Sequence, residues 1–189
     1  MMLINSKKSF KGVSTPKIML NKLNLGCGND YRKGWVNLDF NKTIVADIYA
    51  DLEKKLPFND DYFDYVYTEH VLEHVKDLVG LMSELKRICK PGAIIDIRVP
   101  HASAMPAYQD PTHVRFFTYL TSDYFSKTSF YDLPKFEIVS KKLNYLVKEM
   151  TFLNYIVNPL INISPRYYER LFSGILPCGE VRYRLRVIK

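Results

Sequence analysis

The feature that most constrains the fold is a strand–helix–strand unit in the middle of the chain. Residues 63–67 and 93–99 are short apolar runs bounded by turn residues, as buried strands are. Between them, apolar residues recur at alternating spacings of four and three, which predicts a helix with one apolar face; they are Val71, Val75, Leu78, Met82, Leu85 and Cys89. Because a helix that joins two strands makes a right-handed crossover, the strands should be parallel, and the predicted fold class is α/β.

Further short runs extend this pattern on both sides. We expect strands at 22–25, 35–40, 44–49, 136–147 and 181–188. The proline-broken stretches 100–134 and 148–180 are expected to cap the sheet, and the aromatic 148–180 stretch would also suit a homodimer contact. The expected organisation is a basic N-terminal arm at 1–19 followed by a single domain over 20–189.

The charge distribution decides which partners to expect. The formal net charge is +7, which by itself would favour a nucleic acid. The excess lies at the two ends, because residues 1–19 carry +4 and 135–189 carry +6, whereas residues 20–134 carry −3. In the last strand, Arg182, Arg184 and Arg186 alternate with apolar residues, which is typical of a half-solvated face. A nucleic-acid partner is therefore not favoured.

The cysteines and the hydropathy of the chain indicate in which compartment the protein is expected. The three cysteines, at 27, 89 and 178, have no paired spacing, so neither disulfides nor a cysteine zinc site is predicted. No run approaches the ~18–20 apolar residues that a transmembrane helix needs. We expect a cytoplasmic protein without a transmembrane segment.

The residues that carry chemistry follow the first three strands. The first strand runs into a glycine turn at 26–28, where a ligand can approach the backbone closely. Asp39 ends the second strand, and an acid there can accept hydrogen bonds from a ribose diol. Asp51 and Leu52 end the third strand, within reach of an adenine edge. Because the carboxyl ends of parallel strands meet at one edge of the sheet, these groups predict a ligand site there.

These segments resemble class I S-adenosylmethionine-dependent methyltransferases, in particular the compact type 11-like group. The resemblance covers roughly residues 22–101, in the blocks LNLGCGNDYRKGWVNLDF, ADLEKKLPFNDDYFDYVYTEHVLEHV and LMSELKRICKPGAIIDIRVPH. It implies a Rossmann-like sheet of seven strands, mostly parallel with the last strand reversed. It also implies S-adenosyl-L-methionine as cofactor and S-adenosyl-L-homocysteine as product. The helices that normally follow the first and second strands are missing or vestigial in this sequence.

The resemblance also implies the cofactor-binding residues. The glycine turn would wrap the methionine part, Asp39 would take the ribose hydroxyls, and Glu69 or His70 would lie beside the sulfonium. The full predicted set is Asn24, Gly26, Cys27, Gly28, Asp39, Phe40, Asp51, Leu52, Glu69 and His70. For Cys27 we expect a packed side chain rather than a reactive thiol.

His101, His113 and Asp110 are the candidate catalytic residues. Methyl transfer from a sulfonium depends on alignment, and a base is needed only where the acceptor loses a proton, as a hydroxyl does. His101 directly follows the fifth strand, so we expect it to overhang the methyl group. His113 could take the same role, or pair with Asp110 to hold the loop.

Residues 70–74 also match the H-x-x-E-H motif of inverted zinc proteases. On a helix, His70 and His74 would share a face and could bind a metal. The segment follows an Asp-containing strand as Val-Leu-Glu-His does in methyltransferases, and its apolar residues suit a packed helix. We therefore predict no metal ion.

The favoured function is transfer of a methyl group to a small-molecule, saccharide or lipid-linked acceptor, at oxygen. Two alternatives stay open: a non-catalytic scaffold that keeps the fold, and an RNA methyltransferase that uses the basic ends. The Asn/Asp-Pro-Pro-Tyr/Phe motif does not follow the fourth strand, where Thr68-Glu69-His70 stands, which argues against methylation of nucleobase amino groups.

Overall fold

Seven strands form one sheet in the computed structural model, which describes residues 20–148 and 150–189 and leaves the predicted arm at 1–19 outside the described residues. The strands are β1 (Lys22–Leu25), β2 (Val36–Asp39), β3 (Ile48–Tyr49), β4 (Phe63–Glu69), β5 (Cys89–Pro100), β6 (Phe136–Asn144) and β7 (Glu180–Val187). Their order is β3-β2-β1-β4-β5-β7-β6, and β7 alone runs antiparallel to its neighbours. The predicted α/β fold, mostly parallel with the last strand reversed, is confirmed.

Four α-helices accompany the sheet in the described part of the chain. They are α1 (Leu78–Ile88), α2 (Pro106–Gln109), α3 (Asn154–Ile163) and α4 (Pro165–Leu171). Short 3-10 turns occupy Leu72–His74, Thr121–Phe125 and Thr151–Leu153. None of these described helices combines the length and the apolar character that crossing a bilayer requires.

The helix between β4 and β5 begins later than predicted. Apolar spacing predicted a start at Val71, but the 3-10 turn at Leu72–His74 comes first and α1 starts after Asp77. The Asp77 side chain accepts a hydrogen bond from the Gly80 amide at 2.8 Å, as an N-cap does. The Glu53 carboxylate accepts the Asp77 amide at 3.0 Å, which holds this residue outside the helix. Local polar contacts therefore override the apolar period.

The core lies on one face of the sheet. Alternate strand residues point to this face and are buried; they are Leu23, Leu25, Leu38, Val66, Ile95, Ile97, Val99, Val181, Leu185 and Val187. Helix α1 contributes Leu81, Met82 and Leu85 to the same cluster. The burial of this apolar surface is the main stabilising contribution to the fold.

On the opposite face of the sheet, no helix from the described residues covers β1 and β2. Residues 26–35 and 40–47, both fully described, connect β1 to β2 and β2 to β3 through turns without a helix, as predicted. A helical crossover between parallel strands needs about a dozen residues or more. Arg32 lies over the ring of Tyr67 instead, with its guanidinium carbon 3.7 Å from the ring centroid. This cation–π contact covers part of the face that a helix would cover.

The arginines of β7 lie on this open face and are paired. Each contacts a carboxylate: Arg184 with Asp96 at 2.6 Å, Arg186 with Glu137 at 3.0 Å, and Arg182 with Glu180. Their side chains are 38–49% exposed, which confirms the predicted half-solvated strand.

Removing the N-cap of α1 should destabilise the fold. Asp77→Ala is expected to lower the free energy of unfolding by about 1 kcal/mol, because the Gly80 amide loses its acceptor. Asp77→Ser should keep most of that stability, and Asp132→Ala, in an exposed loop, serves as the matched control. Urea denaturation measures the difference; equal midpoints for Asp77→Ala and Asp132→Ala would contradict the capping role.

Candidate functional site

The glycine turn lies at the carboxyl end of β1. Gly26 and Gly28 have φ of +68° and +49°, which residues with a side chain rarely adopt. A Cβ at Gly26 would lie 2.3 Å from a methyl group of Val71, so no side chain fits there. A Cβ at Gly28 would meet nothing within 4 Å. The backbone at Gly28 therefore faces open space that a ligand can occupy.

Asp39 links this turn to the end of β2. Its Oδ2 accepts a hydrogen bond from the Gly28 amide at 2.9 Å, and its Oδ1 accepts one from the Asn41 amide at 2.9 Å. A carboxylate offers about four acceptor positions, so Asp39 keeps capacity for further donors such as the hydroxyls of a ribose. The structure thus brings the predicted ribose-binding acid into contact with the predicted glycine turn.

The predicted adenine-binding residues lie at the same edge. The Ala50 amide donates to the Asp39 carbonyl at 3.0 Å, which aligns the ends of β2 and β3. Phe40 is 76% exposed and Asp51 is exposed, whereas Leu52 packs against the core. The ribose and adenine end of the site is therefore open to solvent, as the missing helices predict.

Asn24 and Cys27 lie below the turn. The Asn24 amide group donates to the Asp30 carbonyl at 2.6 Å and to Asn37 Oδ1 at 3.2 Å. Its side chain therefore supports the turn, which differs from the ligand contact that we predicted. Cys27 is buried, and burial together with the nearby Asp39 carboxylate raises the pKa of its thiol. Cys27 is thus the packed, unreactive side chain that we expected.

Glu69 and His70, predicted to flank the sulfonium, offer donor atoms that lie within 4.8 Å of each other and of the buried Glu180 carboxylate. Glu69 accepts a hydrogen bond from the Tyr67 hydroxyl on the open face, where burial raises the pKa of Tyr67 to about 12. His70 has a φ of +53° and lines a separate cavity at the carboxyl edge of the sheet. Of the two residues, His70 is the one that lines this cavity.

The cavity has a volume of about 770 Å³. Both stretches that were expected to cap the sheet contribute to it, Met105 and His113 from 100–134 and Pro177 from 148–180. Most of its wall is apolar, and its charged and imidazole groups include Glu73, His74, Asp110 and His113. This combination of an apolar wall and a small polar cluster is typical of a small-molecule site.

His101 does not overhang the cofactor edge. Its side chain is 3% exposed, and its Nδ1 accepts a hydrogen bond from the Ser103 amide at 3.1 Å. Its Nε2 lies 2.8 Å from Glu169 Oε1, to which it donates. Because both ring nitrogens are engaged inside the protein, the prediction that His101 lies over the methyl group is wrong. The residue instead ties the end of β5 to helix α4.

His113 and Asp110 both line the cavity. His113 Nδ1 donates to the Ala107 carbonyl at 3.0 Å, and its Nε2 lies 3.9 Å from Asp110 Oδ2. The expected pairing of these two residues is present, at a distance longer than a hydrogen bond.

Glu73 is the site residue that sequence reasoning undervalued. It is buried, and its carbonyl accepts hydrogen bonds from the amides of Val114 and Arg115, which fixes the loop after α2 beside the cavity. The signal was present in the H-x-x-E-H match at 70–74. The motif was read as part of one helix. In the structure β4 ends at Glu69, His70 follows in a left-handed conformation and a 3-10 turn begins at Leu72, so the helix that would place His70 and His74 on one face does not form.

Comparison with known proteins agrees with this geometry. Residues 23–97 match the model of a family described as methyltransferase domain. An uncharacterized methyltransferase of Schizosaccharomyces pombe is 51% identical over 41 residues, 22% of this chain and 15% of that protein. A demethylmenaquinone methyltransferase of Lysinibacillus sphaericus is 36% identical over 55 residues, 29% of this chain and 24% of that protein. The matches thus span less than a quarter of these relatives.

The fold comparison is wider. A SAM-dependent methyltransferase from Archaeoglobus fulgidus superimposes with a TM-score of 0.61 at 18% identity, covering 90% of this chain and 87% of that one. The chain therefore has the Rossmann-like fold of class I methyltransferases. The resemblance that the glycine turn and strand ends indicated is confirmed, and it is centred on the part of the chain that carries those residues.

The buried His101–Glu169 pair should be structural. Glu169→Ala is expected to lower the free energy of unfolding by about 1–3 kcal/mol, because it leaves His101 and the Tyr119 amide without their acceptor. Cofactor affinity should stay unchanged. Arg170→Ala, exposed on the same helix, is the control. Urea denaturation and calorimetry check both statements; a stable variant that loses cofactor binding would contradict the structural role.

Proposed function

We propose that this chain is an S-adenosylmethionine-dependent methyltransferase that acts on a small-molecule acceptor. The contact between the Gly28 amide and the Asp39 carboxylate carries the proposal, because it joins an accessible glycine backbone to an acid with free acceptor positions. The match of residues 23–97 to a methyltransferase domain supports the same activity.

The cofactor and the acceptor would occupy two different parts of the site. Gly28 lets the cofactor approach the backbone, and Asp39 accepts hydrogen bonds from its ribose. The bound cofactor supplies a methyl group on a sulfonium. The cavity beside His70 holds the acceptor in line with that methyl group, since such a displacement depends on alignment and proximity.

The cavity supports an acceptor with a hydroxyl group on an apolar body. Its wall is apolar around Met105, Val147 and Pro177, whereas polar groups cluster near Asp110 and His113. We propose that Asp110 and His113 orient the acceptor's hydroxyl group, and that methyl transfer occurs at oxygen. A saccharide or lipid-linked acceptor fits this description.

The pairing of the β7 arginines favours a small molecule over RNA. The three arginines of β7 are each paired with a carboxylate, so they are not free for phosphates. The name of one relative includes demethylmenaquinone, but this acceptor is not proposed for the present chain. The region that matches the family ends at residue 97, before most of the residues that line the cavity.

Methyl transfer can be tested without knowing the acceptor. The full-length chain is incubated with a metabolite extract and cofactor labelled in the methyl group, and the products are followed by mass spectrometry. A labelled product that depends on the chain supports the proposal. Absence of binding of both the cofactor and its demethylated product in calorimetry would exclude it, and binding without transfer would favour the scaffold alternative.

Asp39 should control cofactor affinity. Asp39→Asn is expected to weaken binding of S-adenosylhomocysteine at least ~10-fold, because hydrogen bonds to a charged acceptor are worth about 1.5–3 kcal/mol each. Asp39→Ala should weaken it further, since the Gly28 amide also loses its partner. Asp132→Asn is the exposed control, and calorimetry measures the affinities. Unchanged affinity in Asp39→Ala would place the cofactor elsewhere.

A further inference from the structure

Three side chains in the polar wall of the cavity are arranged as metal ligands. Glu73, His74 and His113 each offer a donor atom, and these atoms lie within 4.8 Å of one another. Two of the residues come from the turn after β4 and the third from the loop after α2. The hydrogen bonds from the amides of Val114 and Arg115 to the Glu73 carbonyl hold the two segments together.

Glu73 places a buried carboxyl group in this cluster. Its side chain is 1% exposed, and neither carboxylate oxygen has a hydrogen-bond partner within the part of the chain that the structure describes. An isolated buried carboxylate is strongly unfavourable, so buried charges are paired with an opposite charge or coordinate a metal. His70 Nδ1 lies 3.4 Å from Glu73 Oε1, which is ion-pair distance but longer than a good hydrogen bond, and the Glu73 carboxylate raises the pKa of His70.

The imidazole of His113 presents one of its nitrogens to the Glu73 carboxylate. His113 Nδ1 lies 3.0 Å from the Ala107 carbonyl, which can only accept, so Nδ1 carries a proton and Nε2 keeps the lone pair in the neutral ring. That Nε2 lies 3.9 Å from Glu73 Oε1. A lone pair that faces a carboxylate is repulsive unless a cation lies between them.

His74 is fixed in the same way. Its Nδ1 lies 2.8 Å from Thr112 Oγ1, and the Thr112 hydroxyl donates its own proton to Asp110 Oδ1 at 2.6 Å. The Thr112 oxygen must therefore accept from His74, which leaves His74 Nε2 as the lone-pair nitrogen. Histidine ligands in metal sites have their second nitrogen anchored in this manner.

We propose that Glu73, His74 and His113 bind a divalent transition-metal ion, with Zn²⁺ as the first candidate. Two histidines and one carboxylate are a donor set that zinc and ferrous iron use. Two atoms bound to one ion at about 2.1 Å lie at most about 4.2 Å apart, so binding requires the donors to move slightly together. This site differs from the sequence-based expectation of no metal and from the H-x-x-E-H motif, because His113 replaces His70.

Three protein ligands leave coordination positions that face the cavity. An oxygen of the acceptor could occupy one of them; this role rests on the proposed function, whereas binding of the ion does not. The site would then add a fixed positive charge to the wall that holds the acceptor.

The binding test uses the full-length chain and the metal alone. Zn²⁺ titration against a competing chelator should give one ion per chain, and Co²⁺ should give visible absorption without a sulfur charge-transfer band, because none of the ligands is a cysteine. Glu73→Gln and His113→Gln should each weaken Zn²⁺ binding at least ~100-fold. Glu137→Gln is the matched control. Glu137 lies on β6 and pairs with Arg186 of β7, so this variant should bind Zn²⁺ as the native chain does.

Two further variants separate a metal site from a simple ion pair. Without metal, Glu73→Gln should unfold at a higher temperature than the native chain, since it removes an uncompensated buried charge; in an ion pair with a protonated histidine it would unfold at a lower one. Thr112→Val should weaken Zn²⁺ binding ~10–100-fold, and Thr112→Ser should restore it.

Equal Zn²⁺ affinity in the native chain and in both ligand variants would mean adventitious binding and overturn the proposal, as would no binding at all. Cofactor affinity is measured on the same samples. If the ligand variants lose Zn²⁺ binding and keep cofactor binding, the metal site is supported independently of the cofactor site. If the native chain binds the cofactor and no Zn²⁺, the metal proposal fails and the methyltransferase proposal is unaffected.

Discussion

The length of the first two connections is the constraint on which the rest of the structure depends. Residues 26–35 and 40–47 are too few to carry a crossover helix, so neither connection places a helix on the open face of the neighbouring strands β1, β2 and β3. That face must be stable in water, and it carries polar and aromatic groups such as Tyr67 under Arg32 and Asp96 beside Arg184. The apolar core is confined to the other face.

The same constraint shapes the site. With no helix after β1, the glycine turn is held by the Asp39 carboxylate and by the Leu38 carbonyl, which accepts the amides of Gly26 and Cys27. The proposed ribose end is consequently open, whereas the cavity proposed for the acceptor is lined by residues that follow β4, by the loop after β5 and by segments late in the chain. His70 directly follows β4 and lines the cavity, and the Glu73 carbonyl binds the loop after α2.

Local apolar patterns allowed the strands on either side of α1 and their parallel orientation to be predicted, and the resemblance to methyltransferases supplied the mostly parallel sheet of seven strands. The assignment of the cofactor to the strand ends near Asp39 stays a prediction. The sequence was less informative where long-range contacts decide. His101 looked available next to a strand end, but Glu169, 68 positions away, binds its ring. The late start of α1 depends on the Glu53 and Asp77 side chains, which accept hydrogen bonds from backbone amides. The spacing of apolar residues carries no information about these contacts. Glu73 and His113 come close only when the loop after α2 is folded against the turn that follows β4.

The central claim is that the Gly28–Asp39 unit receives the cofactor, and backbone NMR of the full-length chain tests it most directly. Titration with S-adenosylhomocysteine should shift the amide resonances of Gly28 and Asn41 in a saturable manner, because both amides donate to the carboxylate that would bind the ribose. Shifts confined to other strand ends, or no shift at saturating ligand, would contradict the account.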